Sequence, residues 1–342
     1  MQFREHVPLA PYTTFCIGGP ARFFADATSE AEILEAVDFA RTRNLPLFIL
    51  GGGSNLLVSD AGFSGLVLHI AIRGIAEDAG LFRVSAGEDW DHFVSLAVTR
   101  NYAGIECLAG IPGTVGGTPV QNVGAYGQEV SETIAAVRVI DLTRLEIEEL
   151  SPAACGFSYR RSIFNSTERG RYIVTRVDYA LKRDHPPRLS YADLKRAFPG
   201  PDPPSLFEVS AAVREIRRQK GMLIVPDDPD CRSAGSFFKN PIVTSAHYSR
   251  IAADFADSVP HYAASDGYVK LPAAWLVEQA GFPKGYILGP AGISSRHTLA
   301  LINRGEARAA DILALRDRVV AAVQSKFGIH LEPEPVFLGP EV

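Results

Sequence analysis

The sequence lacks the features that mark secreted, membrane and nucleic-acid-binding proteins. Its first residues, Met-Gln-Phe-Arg-Glu-His, contain no apolar signal core. No apolar run approaches the roughly 20 residues of a membrane span. The net charge is −5, whereas a nucleic-acid-binding chain is expected to be basic. We therefore expect a cytoplasmic protein with no membrane insertion and no nucleic-acid partner.

Signatures of metal sites, disulfides and hydrolases are missing as well. None of the four cysteines lies in a C-x-x-C pair, so neither a zinc site nor a disulfide framework is expected. We predict reduced and mostly buried thiols at Cys16, Cys107, Cys155 and Cys231. The sequence contains no G-x-S-x-G elbow, which leaves a hydrolase triad without support.

The Rossmann fingerprint G-x-G-x-x-G is also absent, but two glycine-rich stretches are present. In the first, residues 51–55, Leu56 stands where the last glycine of the fingerprint should be. The second, residues 110–127, has six glycines among eighteen residues, and Pro112 and Pro119 forbid a regular helix through it. Consecutive amide N–H groups in such turns can cradle a phosphate. A glycine-rich surface loop without a ligand explains the composition of the second stretch equally well.

The remaining sequence predicts a globular protein of mixed structure. The chain has 342 residues, 46% apolar and 21% charged, which is enough for two domains or one large one. Ser29, Asp89 and Ser205 are predicted helix N-caps, and Gly328 is predicted to end a long helix that begins at Arg308. A further helix is predicted over 270–281, and proline-rich segments at 184–187 and 199–204 indicate a boundary. Strands are predicted at 47–50, 66–69, 81–86, 135–141, 145–150, 172–182 and 331–339.

Three polar features have both an ordinary and a functional explanation. Arg160 and Arg161 lie among aromatics, where they form either a solvated loop or an anion contact. The basic end of the helix after Ser205 needs no ligand, because cations suit a helix C-terminus. Ser236 follows a glycine and precedes two phenylalanines, and a buried hydroxyl there must find a partner or take part in chemistry.

Taken in order, these stretches resemble one family, UDP-N-acetylenolpyruvoylglucosamine reductase, the flavoenzyme of bacterial cell-wall precursor synthesis. Cys16 and Thr13 depart from the usual glycine and asparagine of that family, at the edge of the flavin site. The segment 189–194, with Tyr191, resembles the substrate-covering insert that one type of the family carries. The resemblance runs from about residue 14 to residue 339 and rests on motifs at 14–21, 51–55, 111–117, 121–127, 159–164, 234–241 and 331–334.

The resemblance implies an α+β fold in which a two-part FAD-binding module of the vanillyl-alcohol-oxidase/PCMH type precedes an α+β substrate-binding domain. Residues 1–75 would form the first FAD-binding subdomain, and residues 76–200 the second. Residues 201–328 would form the substrate domain, and the C-terminal strand in 329–342 is expected to pack back against the first subdomain. A monomer is expected.

The resemblance also implies the reaction. NADPH would reduce FAD, and N5 of the reduced flavin would give hydride to C3 of the enolpyruvyl group of UDP-N-acetylglucosamine enolpyruvate, yielding UDP-N-acetylmuramate. Arg160 would bind the substrate carboxylate, where its planar fork pairs well and stabilises developing charge. Glu334 would help polarise the same group, and Ser236 would donate the proton to C2, helped by a cation such as Lys239.

The matched motifs carry further site residues. The substrate-binding residues are expected to be Tyr159, Tyr191, Arg217, Lys220, Lys239, Asn240, Tyr262, Lys270 and His297. The FAD-binding residues are expected to be Gly51, Gly52, Gly53, Ser54, Asn55, Pro112, Gly113, Thr114, Gly116, Gly117, Gln121, Asn122, Gly124, Ala125 and Tyr126.

Two other functions stay open at this stage. A flavin oxidase built on the same FAD module would act on another substrate and turn over with oxygen. An inactive FAD- or nucleotide-binding regulator would need no catalytic residues. The presence of Arg160, Ser236 and Glu334 together argues against both alternatives.

Overall fold

The computed structural model describes residues 1–340 as a mixed α/β protein. Its helices are α1 (Glu30–Thr42), α2 (Trp90–Thr99), α3 (Ala192–Ala197), α4 (Leu206–Gln219), α5 (Ser245–Ala253), α6 (Ala273–Gln279) and α7 (Ala309–Phe327). Its strands are β1 (Arg4–Pro8), β2 (Pro20–Ala27), β3 (Leu47–Leu50), β4 (Leu56–Val58), β5 (Phe63–Ile70), β6 (Ile75–Asp78), β7 (Leu81–Ser85), β8 (Tyr102–Ala103), β9 (Gly124–Ala125), β10 (Gln128–Glu129), β11 (Ile134–Asp141), β12 (Glu146–Leu150), β13 (Tyr172–Ala180), β14 (Lys182–Arg183), β15 (Ile242–Thr244), β16 (Tyr262–Ala263), β17 (Tyr268–Lys270), β18 (Ile287–Leu288), β19 (Ala291–Ile293), β20 (Leu301–Asn303) and β21 (Val336–Leu338).

The predicted helix starts are confirmed by their capping hydrogen bonds. The Ser29 hydroxyl accepts from the backbone N–H of Glu32, and the Asp89 carboxylate accepts from that of His92. At α4, Ser205 and Glu208 exchange hydrogen bonds in both directions, as a capping box requires. At α1 the return bond differs, because the Glu32 carboxylate accepts from Thr28 instead of Ser29.

Helix α7 ends as predicted, at Gly328, whose φ of 66° lies in the left-handed region that favours glycine. Its start is stabilised by a residue that the local sequence does not reveal. The Asp60 carboxylate accepts from the first two amides of the helix, those of Ala309 and Ala310, at 2.9 and 3.2 Å.

The helix predicted over 270–281 is wrong at its start. Lys270 belongs to β17, which pairs on both sides with β15 and β16, and α6 begins only after Pro272. Pro272 occupies the N-cap of α6, where its own backbone is extended.

The described residues group into two compact units. The first comprises residues 1–7, 21–53 and 64–219. It contains a four-stranded sheet in the order β1-β2-β5-β3 and a five-stranded sheet in the order β12-β11-β13-β7-β6. In the first sheet β3 runs parallel to β5, the arrangement that a crossover connection requires. The core of this unit includes the fully buried Trp90, Phe93 and Tyr179.

The second unit comprises residues 8–20, 54–63 and 220–342. It contains the small sheets β15-β17-β16 and β18-β19-β20, and its core includes the fully buried Phe237 and Leu315. The C-terminal strand β21 pairs in parallel with β4, two strands that lie far apart in the sequence. Residues 341 and 342 of the predicted C-terminal segment lie outside the described residues. The functional division at 75, 200 and 328 stays a prediction.

Several further features bear on the predicted class. The four cysteines are free, and three of them, Cys107, Cys155 and Cys231, are buried. Within residues 1–340 no cluster of His, Cys, Asp and Glu side chains suits a metal ion. None of the helices in that range is long and apolar enough to cross a membrane.

A buried carboxylate, Asp141, makes the stability of the first unit depend on pH. Its side chain is fully buried and accepts hydrogen bonds from Arg171, Thr143 and Arg144. The Arg171 guanidinium, followed by Thr143, holds the pKa of Asp141 far below its ordinary value of about 3.9. A depressed carboxyl pKa adds stability above the unfolded-state pKa, and this stability is lost as the pH falls below it.

We therefore expect the urea midpoint of the wild-type protein to fall between about pH 5 and pH 2, and to fall less steeply in Asp141→Asn. Arg171→Met should flatten the same pH dependence, because it removes the main cause of the pKa shift. Urea denaturation followed by circular dichroism at a series of pH values measures the effect. Parallel pH profiles for wild type and both variants would contradict it.

Candidate functional site

The two glycine-rich stretches predicted to bind a phosphate meet in the first unit. A Cβ on Gly52 would lie 2.5 Å from the Cα of Gly113, and a Cβ on Gly51 would lie 2.8 Å from the Thr114 hydroxyl. These distances are shorter than any ordinary Cβ contact, so only glycine permits this approach. Gly113 itself has a φ of 125°. The contact brings two stretches that are about sixty residues apart into one loop cluster.

Several backbone amides in this cluster are available to a ligand. Among residues 1–340, no protein acceptor is found for the amides of Gly52, Gly53 and Thr114. The next amides of the second loop are used internally, because those of Val115 and Gly116 donate to Glu88 and Ala86. Amides left over where two turns meet form the kind of nest that binds phosphate oxygens. The cluster therefore fits the pyrophosphate of a dinucleotide.

Open space lies above Gly117. A Cβ there meets nothing within 4 Å, whereas a Cβ on the preceding Gly116 would lie 2.6 Å from Ala86. Gly116 is thus required by packing inside the protein, but Gly117 is not. Small residues are needed at such a position when something other than the protein occupies the space.

Gly117→Val is therefore expected to raise the dissociation constant for FAD by about tenfold or more while leaving the melting temperature of the apoprotein unchanged. Isothermal titration of the apoprotein with FAD measures the affinity. Gly200→Val is the matched control, because a Cβ at Gly200 also meets nothing within 4 Å. Equal FAD affinities in the two variants would contradict a flavin contact at Gly117.

Arg160 sits on a strained turn that is attached to the second glycine-rich loop. Its φ of 54° is uncommon for a residue with a side chain and marks a position that the surroundings hold in place. Its guanidinium donates to the Gly124 carbonyl at 2.8 Å. The Ser162 hydroxyl donates to the Val120 carbonyl at 2.5 Å, which ties the far side of the turn to the same loop.

Asn122, predicted to bind FAD, holds this turn from inside. Its side chain is 1% exposed, and its amide donates to the Ser158 carbonyl and to Glu129. Its side-chain oxygen accepts from the amide of Ser131. The described contacts of the side chain are thus made to protein groups, which is typical of a residue that shapes a loop.

A second group in the first unit combines Arg217, Tyr126 and Tyr191. Arg217, in the last turn of α4, donates to the Gly110 carbonyl at 3.0 Å. Desolvation lowers the pKa of Arg217, while the nearby Tyr126 and Asp91 act in the opposite direction. The ring of Tyr191 contacts that of Tyr126 edge to face at 5.4 Å and is 42% exposed. The structure thus brings three of the predicted site residues together.

Ser236 and Glu334 lie on neighbouring antiparallel segments of the second unit. The amide of Glu334 donates to the Phe237 carbonyl at 2.8 Å, and the amide of Lys239 donates to the Glu332 carbonyl at 3.0 Å. Phe237 and Phe238 are buried, as predicted, and anchor the segment that follows Ser236. This pairing places Glu334 opposite Phe237, the residue that follows Ser236.

The other predicted residues of the second unit occupy several settings. Thr14 donates to the Ser233 carbonyl at 2.6 Å and to that of Ser54 at 3.4 Å. The Asn55 amide donates to the Glu334 carbonyl at 3.3 Å. The Asn240 side chain accepts from the first amide of α6, which is a structural role. Lys239 forms an ion pair with Glu332, and the Lys270 ammonium lies over the Tyr262 ring at 5.7 Å.

The His297 ring accepts a hydrogen bond from the Leu299 amide. Lys220 is the first residue of the C-terminal segment of this unit.

Sequence reasoning missed Glu106 and Gln128. Glu106 is 1% exposed and lies in a one-turn 3-10 helix, Glu106–Leu108, just before the second glycine-rich loop. Gln128 is 3% exposed and donates to Glu106 at 2.8 Å. The available signal was an ionisable residue inside the apolar run 105–109, since buried charges are rare without partners.

Comparison with known proteins agrees with this geometry. A family model described as "UDP-N-acetylenolpyruvoylglucosamine reductase, C-terminal domain" matches residues 227–338. A second model, described as "FAD binding domain", matches residues 21–149. The predicted fold class, an FAD-binding module followed by a further domain, is thereby confirmed.

Relatives match over nearly the whole chain. A UDP-N-acetylenolpyruvoylglucosamine reductase of Thermobifida fusca is 46% identical, with 98% of each chain covered. The enzyme of the same name from Streptomyces coelicolor is 48% identical over 99% of this chain and 91% of its own. The crystal structure of UDP-N-acetylenolpyruvylglucosamine reductase from Thermus caldophilus aligns with a TM-score of 0.69 and 28% identity, covering 99% of this chain and 100% of its own.

Proposed function

Because the chain belongs to the UDP-N-acetylenolpyruvoylglucosamine reductase family, we propose that it reduces UDP-N-acetylglucosamine enolpyruvate to UDP-N-acetylmuramate. The observation that carries this proposal is the pairing of the Ser236 segment with the Glu334 segment. A hydroxyl donor and a carboxyl group on neighbouring segments fit the proton transfer and the carboxyl polarisation that reduction of an enolpyruvyl group requires. The product is a precursor of peptidoglycan.

The cofactors are FAD and NADPH. FAD would be held by the two glycine-rich loops, at Gly51, Gly52, Gly53, Thr114 and Gly117. The loops approach each other closely there, and several of their amides have no described protein acceptor. When bound and reduced by NADPH, FAD would supply the hydride that the substrate accepts.

Arg160 binds the substrate carboxylate in this proposal. Its guanidinium already donates to the Gly124 carbonyl through one nitrogen, which fixes the direction of the side chain. A planar guanidinium held in this way stabilises negative charge that develops on a carboxylate during the reaction. The left-handed backbone at Arg160 is the cost of presenting the side chain at this point of the loop.

Ser236 donates the proton to C2, and Glu334 polarises the substrate carboxyl group. Serine is a weak acid, so it needs a developing negative charge on the substrate and a nearby cation to release its proton. We propose Lys239, three residues further along the chain, as that cation; its ammonium group lies 3.5 Å from the Glu332 carboxylate in this structure. The proton passes from the Ser236 hydroxyl to C2, and solvent or a neighbouring group restores it.

We propose further that the chain is of the family type whose tyrosine-bearing insert covers the substrate, with Tyr191 as that tyrosine. The half-exposed ring, held edge-on against Tyr126, supports this assignment. The other residues proposed to contact the nucleotide-sugar are Tyr159, Arg217, Lys220, Asn240, Tyr262, Lys270 and His297.

The location and the oligomeric state are part of the proposal. NADPH and the nucleotide-sugar are cytoplasmic metabolites, which supports action in the cytoplasm. We also propose that the chain acts as a monomer. Light scattering of the FAD-loaded protein tests the second statement, and a dimer mass would contradict it.

An anaerobic flavin spectrum tests the proposed function. Addition of NADPH should bleach the oxidised flavin absorbance, and UDP-N-acetylglucosamine enolpyruvate should restore it. Bleaching that is reversed only by oxygen would favour the alternative function, a flavin oxidase acting on another substrate. A protein that shows no flavin signal even with added FAD would contradict both functions.

A further inference from the structure

The buried carboxylate Glu106 accepts hydrogen bonds from three separate donors. The Gly104 amide donates to one oxygen at 2.7 Å. The side-chain amide of Gln128 and the backbone amide of Arg188 donate to the other oxygen, at 2.8 and 3.0 Å. A buried carboxylate is costly unless its oxygens are satisfied, and here two of the three partners come from distant parts of the sequence.

The Arg188 backbone is held on both of its polar groups. Its amide donates to Glu106, and its carbonyl accepts from the Cys107 thiol at 3.4 Å. Burial, reinforced by the nearby Glu106 charge, raises the pKa of Cys107, so the S–H group is retained as a donor. Gln128 completes the group by accepting from the Cys107 amide at 2.8 Å.

From this fixed point the chain runs directly to Tyr191. Ser190 passes so close to Gly127 that a Cβ there would lie 2.3 Å from the Ser190 hydroxyl. Tyr191 then meets Tyr126, and Leu194, in the first turn of α3, is fully buried. A half-exposed aromatic ring is therefore held by buried attachments on either side.

We propose that Glu106 and Gln128 form a positioning pair that fixes Tyr191 for the nucleotide-sugar. The proposal rests on the proposed function, because it takes Tyr191 to contact that substrate. Glu106 touches neither substrate nor cofactor in this role. It acts by holding the backbone three residues before Tyr191, so that the ring is already ordered when the substrate binds.

Exchanging the side chains at 106 and 128 tests the hydrogen bond from the Arg188 amide to Glu106 separately from the others. We call this bond the Arg188 tie. In Glu106→Gln/Gln128→Glu, the new amide at 106 can still accept from Gly104 and donate to the carboxylate at 128. That carboxylate can still accept from the Cys107 amide. The Arg188 amide alone then faces an NH₂ group instead of an oxygen, so it loses its acceptor while the net charge is unchanged. The single variants Glu106→Gln and Gln128→Glu serve as controls. The first places two side-chain amides against each other, and the second places two carboxylates against each other.

The exchanged variant should bind FAD and be reduced by NADPH as the wild type is, but its KM for the nucleotide-sugar should rise by about tenfold. Tyr191→Ala should raise the KM of the wild type. In the exchanged background it should add little, because residues that act through each other are not additive. A general structural role for Glu106 would instead give additive effects.

Three outcomes would overturn the proposal: an unchanged KM, additive effects with Tyr191→Ala, or loss of FAD from the exchanged variant. Amide-resolved hydrogen exchange of the wild type supplies a test that needs no variant, since the Arg188 amide should be protected and rapid exchange there would also overturn it. If the wild type fails to turn over the substrate, the proposed function fails, and the exchange data alone decide whether the Arg188 tie exists.

Discussion

Replacing Ser236 by alanine is expected to leave flavin reduction by NADPH intact and to slow reoxidation by the nucleotide-sugar by roughly 10²–10⁴-fold. The hydroxyl is the proposed proton donor to C2, and its removal leaves the first half-reaction untouched. Because Phe237 and Phe238 anchor the segment and Glu334 bonds to its backbone, the deletion of one oxygen should not move the chain. Stopped-flow absorbance with each half-reaction started separately measures the two rates.

The control for this experiment is Ser236→Cys, which keeps a protic group at the same position. A thiol is a stronger acid than a hydroxyl, so part of the reoxidation rate should return. Normal steady-state turnover in Ser236→Ala would show that another group protonates C2.

Replacing Arg160 by glycine should lower kcat/KM for the nucleotide-sugar by about 10²–10³-fold without destabilising the protein. The substitution removes the guanidinium that is proposed to bind the carboxylate. It also suits the backbone, because a φ of 54° is costly for arginine and is freely adopted by glycine. Steady-state kinetics and a thermal melt of the same preparation therefore separate the loss of activity from any loss of folding.

Arg161→Ala provides the matched control, because Arg161 is the adjacent residue and has an exposed side chain. It should retain near-normal kcat/KM, whereas Arg160→Lys should lie between the two, since a lysine keeps the charge but not the planar fork. Equal losses in Arg160→Gly and Arg161→Ala would indicate a general effect of positive charge on the turn.

Local rules accounted for much of the fold. Ser29, Asp89 and Ser205 cap helices as predicted, because a capping bond spans only three residues and is visible in the sequence. The hairpin of β11 and β12 follows equally from a short-range pattern. In contrast, Asp60 caps α7 from a distant part of the chain, and no local pattern indicates that pairing.

The residue types of the site could be predicted from the sequence. The hydrogen bonds that hold those residues in place could not. The glycines at 51, 52 and 113 indicate turns in which the backbone can come close to another group. The structure shows that the two glycine-rich turns approach each other. The motif predicts a flavin contact for Asn122, and this stays a prediction; what the sequence does not reveal is that its side chain also bonds to groups of the protein that carry the Arg160 turn. Glu106 is signalled only as an ionisable residue in the apolar run 105–109, because two of its three donors, at 128 and 188, are brought to it by the fold.

The helix predicted at 270–281 failed for the same reason. Residues 268–270 form a strand because β15 and β16 lie on either side of them, a pairing that depends on residues more than ten positions away on one side. The first compact unit continues past residues 199–204 to Gln219, and the basic end of α4 is bonded there to Gly110 and Asp91.

The pairing of β21 with β4 has a consequence for biosynthesis. Everything that the first compact unit needs has been translated once residue 219 has left the ribosome. Strand β4 ends at Val58, whereas its partner begins only at Val336, so the two are translated far apart in time. At roughly 5–20 residues per second, β4 waits tens of seconds with an unpaired apolar edge. Ribosome-bound chains truncated before residue 336 should therefore be the species that trigger factor or other chaperones hold.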